Sequence, residues 1–264
     1  MTKTILITGA TDGIGLLTVK NLAAEGHTIL LHGRSAEKLE AAARQVGGDP
    51  ETFRADLSRL SEVRALVEAV LSRHDRLDVL INNAGVYKTP RTHTPEGLDV
   101  RFMVNTIAPY LLTRQLLPII PATGRVVNLS SAAQAPVDVR AMRGQRTLDD
   151  MGAYAQSKLA ITIWTREMAK EHPDGPVFIA VNPGSLLASK MVKEGFGVAG
   201  NDLQIGADIL RRTALSDAFS DASGKYFDND SGGFASSHAG ALDPHSVADV
   251  MSAIEEAAEV TARE

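Results

Sequence analysis

The chain has no cysteine among its 264 residues. That removes disulfides, thiolate metal ligands and thiol nucleophiles together, and it fits a reducing compartment such as the cytoplasm. Net positive charge is also missing: 27 Lys and Arg against 32 Asp and Glu leave a formal charge of -5. No global field therefore draws the chain toward phosphate backbones, and nucleic acid is not expected as a partner. The seven histidines are scattered without metal-ligand spacing on a common helix, so no metal site is expected. No apolar run approaches a membrane span. At the N-terminus, Met-Thr-Lys-Thr leads straight into Ile5, Leu6 and Ile7, an apolar stretch too short for a signal peptide. Repeats and low-complexity tracts are absent.

What is present is 44% hydrophobic residues over a length that can bury one sizeable core. A single domain over residues 1–264 is expected. Short β-branched runs alternate with long amphipathic stretches, which predicts strand-helix units around a parallel sheet. Strands are expected near 4–8, 28–32, 51–55, 77–82, 124–130, 176–182 and 225–227. Helices are expected near 14–25, 35–46, 59–73, 96–119, 151–171, 202–215 and 244–260; Leu60, Val63, Leu66, Val67 and Val70, for example, recur at three- and four-residue intervals. The run Leu-Asp-Val-Leu-Ile-Asn at 77–82 is apolar enough for a central strand covered on both faces. Two segments break the alternation: 133–150, rich in Arg and Asp, and 185–201, where Gly195, Gly197 and Gly200 loosen the backbone. Irregular insertions of this kind usually carry specificity rather than core.

The first strand ends in Thr8-Gly9-Ala10-Thr11-Asp12-Gly13-Ile14-Gly15, and a helical pattern begins at once. Glycines there let the chain turn tightly and bring backbone N–H groups and a helix N-terminus against a pyrophosphate. A glycine-rich turn can also be no more than a turn. The spacing is Gly-x-x-x-Gly-x-Gly, not the tighter Gly-x-Gly-x-x-Gly.

Further along come Asp56-Leu57, Asn82-Asn83-Ala84-Gly85, Asn105, Asn128-Leu129-Ser130-Ser131, Tyr154-Ala155-Gln156-Ser157-Lys158 and Asn182-Pro183-Gly184. In this order the motifs resemble those of the short-chain dehydrogenase/reductase family, and the resemblance covers nearly the whole chain. It implies a Rossmann-type, doubly wound, mainly parallel α/β sheet of seven strands with helices on both faces, and a nicotinamide cofactor. The implied cofactor contacts are Gly9, Thr11, Asp12, Gly13, Ile14 and Gly15 at the pyrophosphate. Asp56 and Leu57 would lie at the adenine, and Asn83, Ala84 and Gly85 along the adenosine. Pro183, Gly184 and Leu186 would lie near the nicotinamide, beside Tyr154 and Lys158. The family's usual threonine after that turn is absent, with Ala188 and Ser189 in its place. As plain structure, Asp56 could instead cap a helix and Asn-Ala-Gly could be a turn.

The second strand ends Leu30-Leu31-His32-Gly33-Arg34-Ser35. Gly33 stands where an acidic residue would accept from the ribose hydroxyls of NAD. Arg34 can pair with a 2′-phosphate through a forked, charge-assisted contact, which favours NADP(H) over NAD(H). Arg34 could otherwise be a solvated arginine at a strand end, and Asp12 stands where some NADP-preferring relatives carry a basic residue.

Tyr154 and Lys158 are one helical turn apart and leave the same face. A free tyrosine, with a pKa of about 10, is a poor base at neutral pH. A neighbouring ammonium and a positive nicotinamide ring favour the phenolate and bring it toward the working range. Tyr154 is thus the candidate proton donor and acceptor. Ser131, at a strand end, can donate to a carbonyl oxygen as charge develops; Ser130 competes, and the family pattern favours the second serine. Asn105 is an unfavourable residue inside a helix, and Pro109 lacks the N–H that would bond its carbonyl. In the family the matching asparagine binds a water linked to the lysine, and the lysine also holds the nicotinamide ribose.

The extra residues between Ser131 and Tyr154, with Gln134 in place of a common glycine, resemble retinol-dehydrogenase-like members. The segment 133–150 is expected to be pocket wall, and 185–222 a substrate loop or lid, with Tyr87 also in the pocket. The substrate is read as a small or medium-sized ketone, aldehyde or alcohol. Homodimers or homotetramers through 96–119 and 151–171 are usual in the family. A non-catalytic dinucleotide-binding regulator and a methyltransferase share parts of this pattern, but neither needs the Tyr154 and Lys158 pair.

Overall fold

The computed structural model describes residues 1–189, 191–193 and 197–259; Gly195 and residue 260, both named above, lie outside them. The elements in chain order are β1 (Thr4–Ile7), α1 (Gly13–Ala24), β2 (Thr28–Gly33), α2 (Ala36–Val46), β3 (Glu51–Arg54), α3 (Leu60–Leu71) and β4 (Val79–Asn82). There follow α4 (Val100–Phe102), a π turn (Met103–Ile107), α5 (Ala108–Leu116), β5 (Arg125–Leu129), α6 (Val139–Met142) and α7 (Asp150–Glu171). The chain closes with β6 (Val177–Asn182), α8 (Leu203–Leu215), β7 (Tyr226–Asp228), β8 (Gly233–Ala235) and α9 (Pro244–Glu259).

The strands form one sheet in the order β3-β2-β1-β4-β5-β6-β7-β8. All pairings are parallel except β7 with β8. The sheet therefore has eight strands, not the expected seven. The eighth is a three-residue return strand whose Phe234 packs edge-on against Phe227 at 5.3 Å, and a Gly-rich segment that short carries no alternation to read.

Period-two alternation sends neighbouring side chains to opposite faces. Leu6, Leu80 and Val126 enter the core against α3, α5 and α7. Ile5, Ile7, Val79, Ile81 and Val127 enter the second core against α1 and α8. Each such fully buried aliphatic contributes roughly 1.5–3 kcal/mol, so the central strands anchor both layers.

Residues 96–119 do not form the uniform helix expected. Regular helix begins at Val100, widens into the π turn at 103–107, where the Ala108 N–H donates to the Met103 carbonyl, and ends in a tight turn at Leu117–Ile119. Pro109 has no N–H to give Asn105, and the widened register is a regular way for a helix to absorb such a gap. Strand order reverses at β1, which pairs with β2 on one side and β4 on the other. Ligands of open α/β sheets bind at the carboxyl ends of strands on either side of such a reversal. No helix among the described residues is long and apolar enough to cross a membrane.

Candidate active site

A cleft of about 600 Å³ opens at that reversal, within the range of small-molecule and cofactor sites. Its floor is the glycine loop between β1 and α1. Gly9 takes φ +65° and Gly13 φ +54°, and a Cβ on Gly15 would meet the Gly9 carbonyl at 2.4 Å and Asn83 Nδ2 at 2.5 Å. Asp12 caps α1, its carboxylate accepting from the Gly13 N–H at 2.8 Å. The N–H groups of Ile14 and Gly15, in the first helical turn, have no intrahelical acceptor and line the cleft. Close backbone approach and open donors make a cradle that fits a pyrophosphate.

Asn83 does more than run along the cleft. Its amide donates to the carbonyls of Thr8 (2.9 Å) and Gly9 (3.0 Å), tying the loop after β4 to the glycine loop. Thr8 Oγ1 accepts from the Ala84 N–H at 3.0 Å. His32, buried in β2, was not singled out from the sequence. Its Nδ1 accepts from the Gly9 N–H (3.2 Å), and its Nε2–H donates to the Ala55 carbonyl (3.1 Å). Gly9 can only donate and Ala55 only accept, so the imidazole must be neutral; burial, against Ala55 and Asp56, pulls its pKa from 6.5 to about 4.

Beside it, a Cβ on Gly33 would lie 2.5 Å from Thr11 Cγ2. A side chain at this position would have to displace the Thr11 methyl. Arg34 is exposed at the cleft mouth, where Lys38, also unforeseen, stands with its Nζ 4.0 Å from Asp12. Asp56 Oδ1 accepts from the Ser58 hydroxyl at 2.8 Å and N–H at 3.0 Å, and Asp56 and Leu57 line this end.

The other end is built from β5 and α7. Asp149 caps α7 by accepting from the Gly152 N–H, and Tyr154 and Lys158 follow on the buried face. Lys158 Nζ donates to the Leu129 carbonyl at 2.7 Å and lies 5.6 Å from the Tyr154 ring centroid. Burial draws the Lys158 ammonium down to about 7. Burial pushes the Tyr154 phenol up, opposed by a hydrogen bond with Ser131. The lowering expected from the sequence needs the positive nicotinamide ring as well as the lysine beside the phenol. Ser131 Oγ accepts from the Ala133 N–H at 3.1 Å, which leaves the hydroxyl proton free to be donated. Ser130 faces inward instead, bonded to the Lys158 carbonyl and Thr162.

Asn105 sits behind the site. Its Oδ1 accepts from the Val86 N–H (2.8 Å), and its Nδ2 donates to the Val86 carbonyl and to Ser157 Oγ (2.9 Å each). A Cβ on Gly85 would stand 3.5 Å from Asn105 Oδ1 and 3.6 Å from Lys158 Nζ, so a bare glycine joins the two groups.

Pro183 reaches the cleft wall, as do Tyr87, Lys88, Ser189 and Met191. Ser131, Asn105, Gly184 and Leu186 are not among its lining residues. The Leu186 carbonyl accepts from the Asn201 N–H at 2.6 Å, and its side chain is exposed. Residues 133–150 also stay off the cleft. Ala133 and Gln134 turn back onto Ser131, and further along the Asp138 N–H donates to Gln156 and Arg143 pairs with Glu256. Among the described residues no group of three or more His, Asp or Glu side chains could hold a metal ion.

A cradle at the strand-order reversal, and a buried Lys with a half-buried Tyr and Ser at the same sheet edge, define an α/β oxidoreductase site. Residues 3–196 match the short chain dehydrogenase family, and the chain belongs to it. It is 33% identical over 251 residues to retinol dehydrogenase 13 of Homo sapiens, covering 86% of this chain and 76% of the relative.

Among solved structures, an uncharacterized protein from Mycobacterium paratuberculosis superposes with a TM-score of 0.81 at 28% identity, covering 99% of this chain and 95% of the other. A Shigella flexneri protein described as a short chain dehydrogenase, complexed with NADP, gives 0.69 at 28% identity, covering 86% and 97%. The 3-ketoacyl-(acyl-carrier-protein) reductase from Brucella melitensis, complexed with NADH, gives 0.68 at 25% identity, covering 86% and 96%.

Proposed function

We propose that the chain interconverts a carbonyl compound and its alcohol with NADP(H), using Tyr154 as proton donor and acceptor. The observation that carries this reading is one cleft with two ends. The glycine cradle, Arg34 and Lys38 stand at one end, and Tyr154 and Lys158 at the other, with Ser131 near enough to oppose the upward shift of the Tyr154 phenol. The bound nicotinamide supplies or takes the hydride, chemistry that no protein side chain carries.

The protein's own groups handle the proton. Tyr154 gives it to the substrate oxygen in reduction and takes it back in oxidation. Ser131, which accepts from the Ala133 N–H with one of its two lone pairs, donates to the same oxygen as charge develops. Lys158, poised at about 7, can add positive charge beside the phenol, and Asn105 braces the helical turn that carries both.

Three features support NADP over NAD. Gly33 carries no carboxylate, and Thr11 crowds the position. Arg34 has no ion-pair partner among the described residues. The Asp12 carboxylate is turned to Gly13 and Lys38, which offsets its charge. The Shigella and Brucella structures support a nicotinamide cofactor without choosing between the two. Ser189, Met191 and Tyr87 line the cleft, which supports reading 185–222 as a substrate loop for a small or medium-sized ketone or aldehyde. The cysteine-free composition fits a cytoplasmic setting.

The test is kcat/KM with NADPH and NADH over a panel of aldehydes and ketones, read from the absorbance of the reduced nicotinamide. NADPH should be preferred, and Arg34→Ala should raise its KM while leaving that for NADH unchanged. Equal or better kcat/KM with NADH would contradict the cofactor assignment, and no turnover with any carbonyl would contradict the enzyme.

A further inference from the structure

We propose that Gln134 and Tyr226 are positioning residues that hold the main chain of Ser131, and so aim its hydroxyl at Tyr154 and the substrate oxygen. The inference rests on the catalytic reading above and goes beyond it. The last ladder bond on this strand is made by the Ser130 N–H to the Val181 carbonyl at 2.8 Å. Ser131 lies one residue further, where the chain leaves the sheet, so its peptide needs other partners.

The donors that reach its carbonyl are side chains from two distant parts of the sequence. Gln134 Nε2 donates at 2.9 Å, and the Tyr226 hydroxyl, from β7, donates at 3.1 Å. The two donors thus converge on one carbonyl. Tyr226 is itself fixed: it is buried, and its strand is paired through Ala180 of β6. Burial, with Asp228 beside it, pushes its phenol up, so it remains a donor throughout the working range. Two donors on one carbonyl fix the peptide plane after Ser131, while the Ala133 N–H fixes the hydroxyl itself. Gln134 and Tyr226 both bond the Ser131 carbonyl and not its hydroxyl, so they act through its main chain.

The experiment compares Tyr226→Phe, which removes one hydroxyl and keeps the packing, with Gln134→Met, Ser131→Ala and the double variants. Tyr226→Phe and Gln134→Met should each lower kcat roughly 10-fold, since small misplacements of catalytic groups carry costs of that order. The KM and Kd for NADPH should stay within about 2-fold, because the cradle is untouched. In the oxidation direction, the limb of the pH profile reporting the phenol should move to higher pH, as in Ser131→Ala. The groups facing that phenol are Lys158 and Tyr87, both unchanged in these variants, so a shift reports Ser131.

Adding Tyr226→Phe to Ser131→Ala should cost nothing further. Unchanged kcat in both single variants, or the same loss in the Ser131→Ala background as in wild type, overturns the inference while leaving the catalytic reading intact. Full turnover in Ser131→Ala overturns the catalytic role of Ser131 itself, and the inference with it.

Discussion

Acidification should destabilise this fold by about 3 kcal/mol through one side chain, His32. The imidazole is 2% exposed, and its Nδ1 is committed to accepting from Gly9, a role an imidazolium cannot fill. In the unfolded chain the ring takes a proton near 6.5, but in the fold not until about 4. Between those values the unfolded state binds more protons, so stability falls as pH falls. The contribution is fully present above 6.5, is lost progressively toward about 4, and is flat below. At about 1.4 kcal/mol per unit the gap comes to about 3 kcal/mol, a large part of the roughly 5–15 kcal/mol that holds a domain together.

The assay is urea unfolding of wild type and His32→Asn at neutral pH and at about pH 4.5, within the window defined by linkage. Asparagine can still accept from Gly9 but does not titrate. Subtracting the two proteins removes His27, whose pKa burial also lowers, and the carboxylates common to both. The wild type should lose most of the 3 kcal/mol relative to the variant. Parallel stability curves would show that His32 is not the buried neutral acceptor described here.

Other consequences follow from the same geometry. Gly33→Asp, the obvious route to an NAD enzyme, should fail: its Cβ would stand 2.5 Å from Thr11 Cγ2, and titration should show weaker binding of both cofactors, relieved when Thr11 is also cut back to Gly. Gly15→Ala should abolish cofactor binding by equilibrium titration, since the added methyl would meet the Gly9 carbonyl at 2.4 Å. Asp99→Ala should cost roughly 3 kcal/mol in denaturant unfolding, because it strips the fully buried Arg101 of its forked partner and leaves only Asp150.

The catalytic pair was legible because its chemistry depends on local spacing: Tyr154 and Lys158 are one helical turn apart, wherever that helix lies. The glycine loop was legible for the same reason, since backbone demands show directly as glycines. What escaped depends on register between distant strands. His32 reads as one polar residue in an apolar run; only its place on β2, between β1 and β3, brings Gly9 and Ala55 within its reach. Tyr226 lies 95 residues from Ser131, and no local signal connects them. Pro109 announced a lost helical bond at Asn105 but not that the helix would answer by widening. The family pattern pointed to the turn at 183–186, of which Pro183 lines the cleft.

Turnover of Tyr154→Phe, measured beside NADPH binding on the same protein, tests the central claim most directly. The variant loses one hydroxyl and keeps the ring against Tyr87, so cofactor affinity should hold within about 3-fold while kcat falls by roughly 100- to 10,000-fold, the usual worth of a positioned general acid. Wild-type turnover in that variant would contradict the assignment of the proton transfer to Tyr154.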